Sequence, residues 1–263
     1  MTNAVRKNQS ILQTMKDYSL RYLKPVKINL NTHKTVTQQV HINPTNLIRY
    51  EKLCGFKEKL TLPTSYPHLL VSRQHHHIFC QTDFPFPLTG LTLLKNEIEQ
   101  YRPIFRTEVL DLESHTANLI RIKKGYRFEL TSKVHTENEL IWKSSSSYEY
   151  LDGSNPLTPS DDARIQFAEP PSTEVREWQL TQDRARQFAQ ISKDFDPSHF
   201  SSTKTELLAH TYPTAHGMYL KARILAEVFD DMPSAKTAEF SEGAMVVLAS
   251  ELMIDPPITV FHA

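Results

Sequence analysis

One segment in the second half of the chain, residues 219–229, is apolar on every face of the helix that its composition predicts. Its apolar positions are Leu220, Ala222, Ile224, Leu225, Ala226, Val228 and Phe229. A helix that is apolar all round is stable only when other elements enclose it. The segment therefore predicts a core helix that is wrapped by a sheet.

The first half of the chain carries the strongest strand signals. Residues 91–117 are rich in Thr, Ile, Val and Leu, and residues 125–151 alternate apolar and polar side chains around a turn at 136–139, which predicts a hairpin. Ahead of them, Asn43 can cap a helix, Pro44 suits its first turn, and Gly55 can end it. The fold class predicted from both halves is α+β.

The second half opens like the first, with a short strand at 175–180 and a helix capped by Thr181. The two predicted caps stand 138 residues apart, at positions 43 and 181, and two Tyr-Pro pairs stand 146 apart, at 66 and 212. Either a degenerate internal duplication or a chance similarity of short helices explains these offsets. Pro, Gly and Ser between 152 and 172 predict a linker, which divides the chain into domains 1–151 and 173–263.

Composition excludes several classes of protein. Lys plus Arg equals Asp plus Glu, so we expect no nucleic-acid binding through bulk positive charge. The longest apolar stretch, Ala244 to Ile254, is too short to span a membrane, and we find no secretory signal. Two cysteines cannot form a disulfide framework, and six glycines form no nucleotide-binding motif. These features predict a soluble, cytoplasmic protein.

The segment that carries chemistry is Asp194-Phe195-Asp196-Pro197-Ser198-His199, just past a predicted helix end. Pro197 disfavours further helix, so Asp194 and His199 are expected to project from a curved loop. A carboxylate and an imidazole that meet there can hold one water between them and move protons to and from it. The alternative is an Asp-rich turn with a surface histidine.

A second segment, His216-Gly217, stands at the predicted start of the apolar helix. Free N–H groups at a helix N-terminus accept negative charge, and Gly217 lets a ligand carbonyl approach the backbone closely. This arrangement suits a thioester oxygen that gains negative charge. The alternative for His216 is a residue that packs at the helix start.

Together, Asp194-Phe195-Asp196-Pro197-Ser198-His199 and Ala215-His216-Gly217-Met218 resemble the MaoC-like dehydratases, the (R)-specific enoyl-CoA hydratases. The resemblance implies a tandem hotdog fold, in which a curved antiparallel sheet wraps central helices, and a non-catalytic first half. It further implies that Asp194 and His199 match the catalytic pair and that Gly217 supplies the oxyanion-hole N–H. His216 and Asp196 then belong to the substrate-binding set.

Three features depart from the pattern of this family. Asp196 replaces the usual Asn, which adds a carboxylate and can shift the proton affinity of the pair. Lys193 replaces a usual Gly and is strained if the backbone there has a positive φ. Only 34 residues follow Phe229, too few for a complete wrapping sheet. The second unit is therefore expected to be incomplete, with its helix covered by the first half, covered by a partner chain, or partly exposed.

A polar stretch, Ser72 to His77, stands where the central helix of the first half is expected. Neighbouring histidines on a helix or strand point in different directions, so His75, His76 and His77 predict a solvated or divergent stretch in preference to a metal site. Cys80 is interpreted as a small core residue in preference to a nucleophile.

Three functions remain open at this level. The first is an acyl-thioester hydratase/dehydratase that uses coenzyme A or an acyl carrier protein as the carrier, and that needs no metal or redox cofactor. The second is a catalytically impaired hotdog subunit that binds acyl thioesters, and the third is a hotdog thioesterase. An open sheet edge makes a homodimer plausible.

Overall fold

The computed structural model describes residues 35–81, 83–88, 91–151, 174–179, 181–194, 216–229 and 257–262. Their elements, in chain order, are β1 (Thr35–His41), α1 (Pro44–Cys54), α2 (Tyr66–Cys80), β2 (Leu91–Gln100), β3 (Val109–Ile122), β4 (Gly125–Thr136), β5 (Glu139–Leu151), β6 (Glu174–Gln179), α3 (Gln182–Ser192), α4 (Gly217–Phe229) and β7 (Pro257–His262). The predicted linker at 152–172 lies outside these residues, and so does Tyr212-Pro213.

The first half forms a five-stranded antiparallel sheet with the order β1-β3-β4-β5-β2. The predicted hairpin is β4 and β5, and its turn residues Glu137 and Asn138 have φ of 48° and 69°. Two residues with positive φ match the twist of the strands that they connect. The strands predicted within 91–117 are β2 and the first part of β3.

Both predicted helix caps are confirmed. The Asn43 side chain accepts from the Asn46 N–H at 3.0 Å, and the Thr181 side chain accepts from the Arg184 N–H at 3.4 Å. Gly55 ends α1 with φ +88°, a conformation that glycine adopts without strain. In the second half, β6 leads into α3 and pairs antiparallel with β7.

The first half covers the apolar helix α4. This is one of the three arrangements expected from the sequence. A single cluster of buried residues joins Leu47 and Tyr50 of α1, Phe188 of α3, and Leu220 and Ala222 of α4. Because side chains from both halves form this cluster, the described parts of the two halves share one core. None of the helices in the described ranges is long and apolar enough to cross a bilayer.

The polar stretch Ser72 to His77 lies within α2, which packs against β1, β3 and β4 of the sheet. The expectation of solvation is wrong for Gln74 and His75, which are only 1% and 4% exposed. His77 is exposed and His76 is half-buried, so the three histidines do diverge. Cys80 is half-buried, with its Sγ 3.4 Å from His76 Nε2.

The sheet offers polar partners to this helix. Ser114, Ser132 and Ser144 are register neighbours on β3, β4 and β5, and all three are buried. Ser132 Oγ lies 2.6 Å from His75 Nε2, and Ser114 Oγ donates to Gln74 Oε1 at 2.7 Å. Buried polar groups are tolerated when they are hydrogen-bonded to one another, which explains a polar face on a central helix.

Candidate active site

Helix α3 ends at Lys193, immediately before the motif that carries the predicted chemistry. Lys193 has φ 65° and ψ 17°, and its N–H donates to the Ala189 carbonyl at 2.8 Å. This left-handed conformation is the one that favours glycine, so the strain expected from a side chain at this position is confirmed. The tight ending turns the chain out of the helix at Asp194.

Asp194 is held at this helix end by a serine. Its N–H donates to Ser192 Oγ at 3.2 Å, and the Ser192 hydroxyl donates to the Phe188 carbonyl at 2.9 Å. Ser192 is buried, whereas Asp194 is half-buried. The backbone of Asp194 is therefore anchored on α3, while its carboxylate stands beyond the last turn of the helix.

His216 brings the second motif to the same place. Its Nε2 lies 3.4 Å from the Asp194 carbonyl oxygen, and its ring packs on Phe188 with the centroids 5.2 Å apart. Helix α4 starts here, because the His216 carbonyl accepts from the Tyr219 and Leu220 N–H groups at 3.0 and 3.2 Å. At such a start, the first N–H groups, including that of Gly217, have no acceptor within their own helix.

The structure thus brings together three of the five residues singled out from the sequence: Asp194, His216 and Gly217. Asp196 and His199 lie outside the described residues. The packing expected of His216 as the alternative to ligand binding is present, because this side chain is 4% exposed against an aromatic ring. A carboxylate-bearing residue beside a helix N-terminus is suited to proton transfer next to a developing negative charge.

The first half contributes two side chains that sequence reasoning missed. The hydroxyl of Ser72 on α2 donates to the Leu69 carbonyl at 2.7 Å and lies 3.4 Å from the Ser192 carbonyl, beside Asp194. Tyr148 of β5 packs on Phe79 and Phe128, and burial, followed by the negative charge of Asp194, raises the pKa of its phenol. The signal for Tyr148 was available, since it alternates with the other inward-facing positions of the predicted hairpin.

Within the described ranges, no three His, Cys, Asp or Glu side chains converge so that they could hold an ion.

Comparison with known proteins gives one relative in sequence and several in structure. The chain is 26% identical over 209 residues to 3-hydroxyacyl-thioester dehydratase X of Mycobacterium tuberculosis. The matched residues cover 77% of this chain and 72% of that protein. The crystal structure of HtdX from the same organism matches with a TM-score of 0.63 and 25% identity, over 77% of this chain and 79% of that one.

A MaoC-like dehydratase from Phytophthora capsici matches with a TM-score of 0.60 over 83% of this chain and 80% of that one. Its sequence identity to this chain is 16%, so this match shows the fold alone. No family model matches the chain. The predicted hotdog architecture is confirmed by these neighbours.

Proposed function

We propose that this chain, whose resemblance to the MaoC-like dehydratases the comparisons confirm, is an acyl-thioester hydratase/dehydratase that reversibly adds water to a 2-enoyl thioester. One observation carries the site assignment: His216 Nε2 lies 3.4 Å from the Asp194 carbonyl oxygen. This contact puts the first residue of the proton-transfer motif beside the N-terminus of α4.

In the proposed reaction, Asp194 and His199 hold one water next to the C2=C3 bond. One member of the pair accepts a proton from this water as its oxygen bonds to C3, and the other delivers a proton to C2. Negative charge passes through the thioester oxygen, where the Gly217 N–H donates to it. At the end of the reaction one member of the pair has gained a proton and the other has lost one. By microscopic reversibility, the same groups also dehydrate a 3-hydroxyacyl thioester.

His216 and Asp196 complete the proposed site around the substrate. His216 fixes the start of α4 through its packing on Phe188. Asp196 follows Asp194 by two residues in the sequence and adds a second carboxylate to the proposed site.

The domain arrangement and the partners follow as part of the same proposal. We assign residues 1–151 to the non-catalytic unit, 152–172 to the linker, and 173–263 to the catalytic unit. The end of β5 at Leu151 and the start of β6 at Glu174 agree with these bounds. The acyl group arrives on coenzyme A or an acyl carrier protein, and no cofactor takes part. We place the protein in the cytoplasm, because two cysteines are too few for a disulfide framework.

The experiment that tests this function follows the loss of enoyl absorbance when the purified protein acts on crotonyl-CoA and on longer enoyl thioesters. Asp194→Asn and His199→Ala are expected to lower kcat by a factor of ~10² or more, since each removes a positioned proton transfer. Asp111→Asn is the matched control, because Asp111 is exposed on β3 and bonds Gln39.

The other two functions give different results in the same experiment. Release of free thiol without a 3-hydroxyacyl product identifies a thioesterase. Binding of the thioester without turnover on the whole panel identifies a binding subunit. Activity that survives in Asp194→Asn contradicts the assignment of the pair.

A further inference from the structure

Helix α4 carries three charged residues, and one of them, a lysine, is buried. Lys221 is 7% exposed, and its Nζ donates to the side-chain oxygen of Asn96 at 2.6 Å and to the Asn96 carbonyl at 3.2 Å. Lysine is almost never buried to this extent without a specific partner. These two bonds tie α4 of the second half to β2 of the first.

The contact continues into the interior of the first half. The Asn96 amide donates to Ser144 Oγ and to Ser146 Oγ, both at 2.8 Å, and Ser144 Oγ lies 3.3 Å from His68 Nδ1. The Asn96 amide is thereby fully oriented, with its oxygen aimed at Lys221. A continuous hydrogen-bonded path runs from α4 through β2 and β5 to α2.

Keeping an amine in this place is costly. Burial lowers the pKa of Lys221 to about 6, while the charge of Glu97 on β2 acts in the opposite direction. His68 on α2 is a second titratable group near this amine; burial lowers its pKa most, and the charges of His75 and Lys221 lower it further. A methionine of similar length would fill the space without that desolvation cost, so the lysine indicates a requirement other than stability.

The position of Lys221 on its helix suggests what that requirement is. It follows Gly217 by four residues, so the two lie on the same face of α4, one turn apart. The N-terminal turn of α4 is therefore held against the sheet directly below the Gly217 N–H. A shift of about 1 Å in a group that contacts the reacting atoms can cost ~10² in rate.

We propose that Lys221 is a positioning residue for the hydratase reaction: by bonding Asn96, it fixes the first turn of α4 and with it the Gly217 N–H. The inference rests on the proposed function, because it needs the oxyanion to form at Gly217. It also gives the non-catalytic half a role in catalysis, since Asn96 belongs to that half.

Kinetics of three variants test the proposal. Lys221→Met is expected to lower kcat about tenfold and to leave KM within about twofold. The reason is that the Gly217 N–H, which this substitution would misplace, donates in the transition state. Lys221→Met/Asn96→Leu is expected to be no slower than Lys221→Met alone, because both changes cut the same contact. Lys143→Met is the control; Lys143 lies on β5, partly exposed and bonded to Glu99.

If Lys221→Met has the kcat of the parent, this inference is overturned and the proposed function stands. The same holds if the kcat losses of the two substitutions multiply in the double variant. A parent without turnover on the whole enoyl panel overturns the proposed function and this inference with it. The two failures are therefore distinguishable.

A second measurement does not depend on turnover. Between pH 6 and 10 the unfolded chain binds a proton on Lys221 that the folded chain does not, so the stability of the parent is expected to rise with pH relative to Lys221→Met. Urea unfolding at several pH values measures this difference. Equal pH dependence in the two proteins would show that the amine keeps its proton in the folded chain, and would contradict its desolvation beside Asn96.

Discussion

His75 on α2 donates from Nε2 to the hydroxyl oxygen of Ser132 on β4 over 2.6 Å, and the neighbouring bonds fix this direction. Ser114 must donate to Gln74 Oε1, which carries no hydrogen, so Ser132 donates to Ser114 at 2.8 Å. With its own hydrogen committed, Ser132 can only accept from His75. The imidazole therefore carries a proton on Nε2 inside the hotdog core, and burial favours its neutral form.

This neutral imidazole predicts sensitivity to acid. Burial lowers the pKa of His75 to about 3, against about 6.5 in the unfolded chain, so the unfolded chain binds the extra proton between these values. Stability from this residue is lost as pH falls through that window. We expect His75→Gln to reduce the slope of unfolding free energy against pH by about 1.4 kcal/mol per pH unit there.

The measurement is urea unfolding between pH 4 and 7. His77→Gln is the matched control, because it makes the same substitution at an exposed position two residues further along α2. A slope in His75→Gln equal to that of the parent would mean that burial does not keep His75 neutral in the folded state.

How far the sequence predicts this fold depends on the range of the interactions. The caps at Asn43 and Thr181 and the hairpin turn were predictable, because each is decided by residues within one turn of the chain. The serine row was not, because Ser114, Ser132 and Ser144 become neighbours only through the register of three strands. Long-range register is the information that a local pattern lacks.

The candidate site divides in the same way. Asp194 and Gly217 were found from a local motif, and the contact of His216 with Asp194 brings their segments together. Tyr148 lies close enough to Asp194 to feel its charge, although the two are far apart in sequence. Lys221 likewise contacts Asn96, which is 125 residues away. For Lys221, no local signal was available, because Arg223 and Glu227 of the same helix are also charged.

The end of α3 predicts a stabilising substitution. Lys193→Gly removes a side chain from a left-handed position, φ 65°, and is expected to raise the free energy of unfolding by about 0.5–1 kcal/mol. Chemical denaturation measures the change. Lys193→Ala is the control, since alanine keeps the Cβ that causes the strain, and it should not stabilise. Equal effects of both would assign the change to the lost ammonium group.

The C-terminus of α1 is closed by a side chain of the second half. Arg223 Nη1 donates to the Cys54 carbonyl at 3.0 Å, and Nη2 pairs with Glu227 Oε1 at 2.7 Å. Arg223→Met is expected to cost about 1–2 kcal/mol, because a charged donor is removed from a helix-end carbonyl. Glu227→Gln, which weakens the pair within α4 and leaves the Cys54 contact in place, should cost less than about 0.5 kcal/mol. Thermal and urea unfolding compare the two, and similar losses would contradict a role for the Cys54 contact.

The start of α4 predicts a loss of ligand binding. Gly217 is half-buried beside His216, so Gly217→Trp places an indole where the thioester oxygen is proposed to lie. Titration calorimetry with butyryl-CoA, which binds without a C2=C3 bond to hydrate, is expected to show affinity at least ~10-fold weaker than the parent, a loss of about 1.4 kcal/mol. Leu60→Trp adds the same side chain at a position that is 80% exposed and should bind like the parent. Because binding is measured without turnover, the result holds for an enzyme and for a binding subunit alike. Parental affinity in a folded Gly217→Trp variant would remove the N-terminus of α4 from the acyl-thioester site.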